Sequence, residues 1–157
     1  MQQSKYKVLV ISIAQPILIG VYKDDVLIET IAKEGKTSEI LPSIFHKLLS
    51  QYNIFQIYYV SGPGSYMAIK IAYIFLKTIS IVNQIELYAV SGFDFNNNSP
   101  IKALGKKYFF RESNKIDDKI RVELLGDTII EDFDLPTQLR GIQVTSETLP
   151  RYNLPAV

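Results

Sequence analysis

Few side chains in this sequence could make or break bonds, and the densest group of candidates is Ser61-Gly62-Pro63-Gly64-Ser65. A glycine-rich turn that opens a helix can hold an anion on its free backbone amides, so the segment is a candidate phosphate site. The stronger reading is a structural turn, because glycine allows positive φ and proline locks φ. It is not a Gly-x-Gly-x-x-Gly run, and it lacks the Gly-Lys-Ser of a P-loop. Ser61 and Ser65 have no histidine at a suggestive spot, and Asp94 is the only acid expected near them, so neither reads as a nucleophile.

The rest of the composition narrows the chemistry further. The 157 residues include no cysteine and one histidine, His46, which excludes thiol chemistry and leaves no set of zinc ligands. His46 falls beside Lys47 and Ser50, off the apolar face of its helix, and reads as a solvated surface residue. The net charge of +1 offers no basic face for a polyanion, so no direct contact with nucleic acid is expected. Asp117-Asp118 and Glu131-Asp132 are charge pairs in loops and read as solvated surface.

These residues must be positioned by a few strongly patterned elements. Ile57-Tyr58-Tyr59-Val60 is a β-branched and aromatic run suited to a buried strand. The turn at 61–65 follows, with Ser65 where a helix N-cap belongs. Residues 66–82 contain no Gly or Pro and form a helix. On a wheel at about 100° per residue, Lys70 and Lys77 share one narrow stripe. Apolar residues cover roughly two thirds of the circumference, against about 100° for an ordinary surface helix. One sheet can hide only about half of such a helix, so part of the remainder must meet another helix, in this chain or in a partner. The two lysines would each cost about 3 kcal/mol at a bilayer centre, which argues against a membrane span. The polar N-terminus shows no signal peptide, and a cytoplasmic protein is expected.

Read in order, Val8-Leu9-Val10-Ile11-Ser12-Ile13 is a strand buried on both faces. Strands at 17–22 and 26–32 follow through short links and make an antiparallel meander. Apolar residues at helical spacing from Ile40 to Tyr52 give a helix capped by Thr37 or Ser38; Pro42 is expected in its first turn. A fifth strand spans 86–90. Right-handed crossovers order the sheet 3-2-1-4-5, the ribonuclease H-like arrangement of the actin, Hsp70 and sugar-kinase superfamily. This α/β lobe is expected over residues 1–95. Asn96-Asn97-Asn98-Ser99-Pro100 reads as a linker. Residues 101–157 form a reduced β-rich lobe, with strands at 103–112, 119–125 and 128–133, a polar turn at 113–118, and a draped tail from Pro136 onward.

On such a fold a nucleotide hydrolase needs an acid at the end of the first strand, where this chain has Ser12-Ile13-Ala14-Gln15. A serine cannot replace a carboxylate on a hard cation. Nucleases need several carboxylates around two metals, and the strand ends near Ser12, Ser61 and Ser91 offer none. A diverged kinase or ATPase of the superfamily is the enzymatic alternative. No metal and no cofactor are expected.

The stretch from Ser61 to Ala72 resembles the Gly-Pro-Gly-Ser-Phe-Thr-Gly-Leu-Arg-Ile-Gly signature of the TsaB family, also called YeaZ. Lys36-Thr37-Ser38-Glu39-Ile40-Leu41-Pro42 resembles that family's His-Ser-Glu-x-Leu-Leu-Pro helix start. Tyr88-Ala89-Val90-Ser91 and Leu149-Pro150-Arg151-Tyr152 resemble its Val-x-x-Val-Ser-Ser and Pro-x-Tyr segments. The chain departs from the family in having Ser12 for Asp, Met67 for Thr, Ala68 and Ala72 for Gly, and Lys70 for Arg. The resemblance implies a non-catalytic partner of TsaD, the enzyme that transfers the threonylcarbamoyl group in making threonylcarbamoyladenosine in transfer RNA. It implies pairing through the helices after strands three and four, and a complex joined by TsaE, an ATPase. The contact surface is expected to include Ile40, Ile44, Leu48, Met67, Lys70, Tyr73, Ile74 and Lys77. A homodimer through the same helices is the remaining alternative.

Overall fold

The computed structural model describes residues 4–112 and 119–152. Strands β1 (Tyr6–Ile11), β2 (Ile17–Lys23) and β3 (Val26–Lys33) form the expected antiparallel meander. Helix α1 (Thr37–Gln51) leads to β4 (Ile54–Gly62), and α2 (Tyr66–Asn83) leads to β5 (Glu86–Ser91). β4 lies parallel to β1 and β5 parallel to β4, so the five-stranded sheet has the order β3-β2-β1-β4-β5. The order follows from physics legible in the residues: short links, five residues between β1 and β2 and two between β2 and β3, favour antiparallel neighbours, and each helical crossover returns right-handed beside the previous strand.

Both helices cover one face of this sheet. Val8, Val10, Ile19, Ile57 and Tyr59 meet Leu41, Phe45, Leu48, Ala72 and Leu76 in one buried cluster. Phe45 of α1 and Phe75 of α2 lie edge-on, with ring centroids 5.8 Å apart. The opposite face is also buried, which is why β1 reads as an unbroken apolar run. Leu9, Ile11, Tyr22, Tyr58 and Val60 pack there against Leu135 and Leu139.

That second cover is a strap of irregular chain over residues 133–152. It bridges the edge strand β3 at Val26–Gln138 and the opposite edge strand β5 at Ala89–Thr145. Leu27 N–H donates to the Thr137 carbonyl, and Leu139 N–H donates to the Asp25 carbonyl, both at 2.9 Å. Tyr22, buried in the sheet, donates its hydroxyl to the Pro136 carbonyl at 2.8 Å. The expected draped tail is therefore part of the first sheet's core and guards both of its edges.

Between β5 and the strap lies a second sheet, ordered β6 (Ile101–Lys102), β7 (Lys107–Arg111) and β8 (Ile120–Leu124). Its third strand is β6, while 128–133, expected as a strand, has no regular structure. Leu104 and Gly105 turn the chain between β6 and β7, so the strand expected over 103–112 is regular only over Lys107–Arg111. The expected turn at 113–118, with Asp117-Asp118, lies outside the described residues. Asn96-Pro100 is not a loose linker. It follows a short 3-10 turn, Gly92–Phe95, and Asn96, Ser99 and Pro100 are buried, with the Asn96 side-chain amide donating to the Ser99 carbonyl at 2.9 Å. Local side-chain bonds of this kind let polar residues pack, which their composition alone does not announce.

Two details of the helix starts differ from expectation. Lys36, not Thr37 or Ser38, occupies the cap position of α1, and its carbonyl accepts from the N–H groups of Glu39 and Ile40. Pro42 is the sixth helical residue, one turn later than expected. It leaves the Ser38 carbonyl without its helical donor, which is tolerable because both residues are exposed to water. Ser65 does stand at the cap position of α2, but its side chain makes no capping bond.

Candidate interaction surface

In open α/β sheets ligands bind in the crevice beyond the carboxyl ends of the parallel strands. Here apolar side chains of the chain itself enter that crevice. Ile13, just past β1, lies between Gly64 and Gly92: a Cβ on Gly64 would sit 3.0 Å from Ile13, and one on Gly92 would sit 2.7 Å from its Cδ1. Phe93, Ile101 and Phe109 complete an apolar plug around it. Ser12 is buried at the strand end. Asp94 forms an ion pair with the Arg111 guanidinium at 3.1 Å, and Arg111 also donates to Asn98 at 2.7 Å. Among the described residues no three His, Cys, Asp or Glu side chains cluster as metal ligands.

The turn at 61–65 is closed by the strap. Gly62 has φ of +143°, and a Cβ there would overlap the Arg151 carbonyl oxygen. Arg151 N–H donates to the Ser61 carbonyl at 2.7 Å. Tyr152 stacks on Tyr66 with ring centroids 4.2 Å apart. Tyr59, in the core, donates its hydroxyl to the Thr148 carbonyl. Burial, then the neighbouring Tyr73 and Tyr152 hydroxyls, push the Tyr59 phenol well above its usual range and keep it a proton donor. An anion at Gly62 would meet a carbonyl oxygen, which repels it. Ser61, Gly62, Pro63 and Gly64 are buried, and only Ser65 is exposed.

The surplus apolar area of α2 lies on its outer side. Ile69, Ala72 and Leu76 face the sheet and are fully buried. On the other side Met67 is 58% exposed, Ile74 54%, Ile81 68% and Val82 72%. Met67, Ile74 and Ile81 recur every seven residues, so they form one stripe along the helix. This helix is long and apolar enough to cross a membrane by length and composition, yet its inner side is built into the core.

The residues expected to meet a partner divide into three groups. Met67, Lys70 and Ile74 are exposed, and Ile40, Tyr73 and Lys77 are half-buried. Ile44 and Leu48 are corrections: they are buried in the core beneath α1 and offer no surface. The spacing of α1 could not reveal which of its apolar residues face the sheet. Leu48→Ala should accordingly cost about 2–5 kcal/mol of stability by cavity formation, read as a lower urea midpoint, and leave no defect specific to pairing. Ile81 and Leu149, 70% exposed on the strap, are apolar surface that sequence reasoning missed. The seven-residue spacing from Met67 was the available signal for Ile81.

No family model matches this chain, and no curated protein matches it. Solved structures do. YeaZ from Pseudomonas aeruginosa superposes with a TM-score of 0.60 at 12% identity, over 81% of this chain and 66% of that one. An uncharacterized protein described as similar to the peptidase YEAZ from Pseudomonas aeruginosa superposes with a TM-score of 0.53 at 11% identity, over 97% of this chain and 69% of that one. The chain thus spans about two thirds of the length of either. With its five-stranded mixed sheet, two helices on one face and a small added sheet, this chain has the fold of YeaZ, an α/β actin-like lobe.

Proposed function

We propose that this chain is a non-catalytic partner subunit that docks through the outer side of α2, with α1 beside it, on a TsaD-like threonylcarbamoyl transferase. In this reading it acts in the cytoplasm, in the threonylcarbamoyladenosine modification of transfer RNA, with a TsaE-like ATPase as the third member of the complex. The observation that carries the reading is the stripe of Met67, Ile74 and Ile81, left open on a helix whose opposite side is in the core. Exposed apolar patches of this kind mark protein contacts. The fold shared with YeaZ supports it, and so does the apolar side chain of Ile13 against Gly64 and Gly92, just beyond the ends of the parallel strands where ligands of open α/β sheets bind.

The test is co-purification of the tagged full chain with the TsaD-like protein of the same genome. A stable one-to-one complex is expected, and its absence at micromolar concentrations refutes the reading. Titration calorimetry of the free chain with ATP and magnesium addresses the enzymatic alternative. No saturable heat is expected up to about 1 mM nucleotide, a weak-binding limit near 4 kcal/mol. Micromolar binding would instead favour a diverged kinase or ATPase.

A further inference from the structure

A cavity of about 410 Å³ opens between the two sheets. Its floor is apolar, built from Ile13, Leu18 of β2, Ile101 of β6 and Phe133. Ile13, Leu18 and Phe133 are only half-buried. Two of the walls are irregular chain, yet both are pinned. The Gln15 side-chain amide grips the Gly35 backbone, donating to its carbonyl at 2.9 Å and accepting from its N–H at 3.0 Å. The buried Ser99 hydroxyl does the same for Glu131, accepting from its N–H at 3.0 Å and donating to its carbonyl at 3.3 Å. These bonds belong to no strand ladder, and they fix the walls before any ligand arrives. A preformed, mostly apolar cleft of about 300–1,000 Å³ with a few polar groups is the usual form of a small-molecule site.

The lining also carries charges of both signs. Lys102 of β6 stands on one wall, Glu131 and Asp132 on another, and all three are exposed. Among the described residues none of the three forms an ion pair. The Lys102 peptide is open as well. Ala103 N–H donates to the Lys107 carbonyl, so by the alternation of an antiparallel ladder the Lys102 N–H and C=O turn away from β7, to the free edge of the second sheet. A phosphate would meet two carboxylates against one ammonium, which disfavours it. A simple amine leaves Lys102 unanswered, and either end of a peptide carries only one of the two charges. An apolar α-amino acid answers every group at once. Its ammonium pairs with Glu131 and Asp132, its carboxylate with Lys102, and its side chain rests on the floor. We propose that this cavity binds a free apolar amino acid as the zwitterion. It shares no residue with α2, so the site and the docking reading are independent of one another.

Calorimetric titration of the full chain with L-leucine, L-phenylalanine, glycine, leucinamide and N-acetyl-L-leucine tests it. Leucine or phenylalanine should bind with a Kd of about 0.1–1 mM, the range open to a ligand of so few atoms. Glycine, with no side chain for the floor, should give no saturable heat. Leucinamide lacks the carboxylate and N-acetylleucine lacks the ammonium. Each should bind about tenfold more weakly than leucine, having given up one charge-assisted contact. Lys102→Ala should weaken leucine about tenfold and leave leucinamide unchanged. Glu131→Gln/Asp132→Asn should weaken leucine to the same degree and leave N-acetylleucine unchanged. Both variants alter exposed side chains, so their urea midpoints should match wild type. No saturable binding of leucine or phenylalanine below about 10 mM overturns the proposal. Leucinamide binding as tightly as leucine also overturns it, as does full leucine affinity in either variant, because the cavity would then hold an apolar body without reading the zwitterion.

Discussion

If the chain docks as proposed, Ile74→Glu should reduce binding of the TsaD-like protein to below detection while the chain keeps its fold. Ile74 is 54% exposed and sits midway between Met67 and Ile81 on the open stripe. A docked helix would enclose it, and a carboxylate there would be buried with no counterion. Loss of a central anchor costs 2 kcal/mol or more. Burying an unpaired charge adds several kcal/mol. The combined effect is about a 1,000-fold or greater rise in Kd. Stability should change little, because an exposed substitution away from caps and cores stays within about 0.5 kcal/mol and Glu is at least as good a helix former as Ile. The thermal midpoint should therefore move by no more than about 2 °C for a chain of this size. Met67→Glu, at 58% exposure near the start of α2, should act in the same direction. Binding that survives both changes would move the contact surface off α2.

Gly62→Ala has the largest expected effect on stability. Its φ of +143° is one that side chains rarely adopt, and the new methyl group would overlap the Arg151 carbonyl oxygen. The backbone atoms of the strap cannot yield as a flexible side chain would, so the strap end must lift. That gives up the Arg151–Ser61 bond and the Tyr152–Tyr66 stack. Together with backbone strain the loss should be about 3–5 kcal/mol. Gly126→Ala serves as the control, because φ there is +60° and no atom lies within 4 Å of the added carbon. It should lose only the left-handed penalty of about 1–2 kcal/mol. Urea unfolding measures both, and limited proteolysis after residue 144 should quicken in the Gly62 variant alone. Equal losses at the two positions would show that strap contact is not what Gly62 serves.

The parts of the fold that were legible share one property: their signals are local. The apolar run at Val8–Ile11, the short link before the strand at 26–32 and the Gly-Pro-Gly segment each state a strand, a reversal or a helix start within a few residues. The strap carries no such signal. Its hydrogen bonds reach from Thr137 to Leu27, from Thr145 to Ala89 and from Arg151 to Ser61, so its course is set by distant edges that need donors and acceptors. The strand expected at 128–133 fails for the same reason. Glu131 N–H donates to the Ser99 hydroxyl, a side chain, and no neighbouring strand is there to pair with the run. Asn96 and Ser99 look like solvent-loving linker residues until their short-range bonds bury them.

By itself the sequence determined the order of the five-stranded sheet and the excess of apolar area on the helix after the glycine turn. Short links and right-handed crossovers leave few other topologies, and a helical wheel counts apolar positions without any coordinates. Only the tertiary structure decided which of those positions remain open. A wheel fixes the angles between side chains but not the rotation of the helix on its sheet. That rotation is set by Ile69, Ala72 and Leu76 entering the core and by α1 standing at the Phe75 edge. The same packing withdrew Ile44 and Leu48 from the surface and added Ile81 to it.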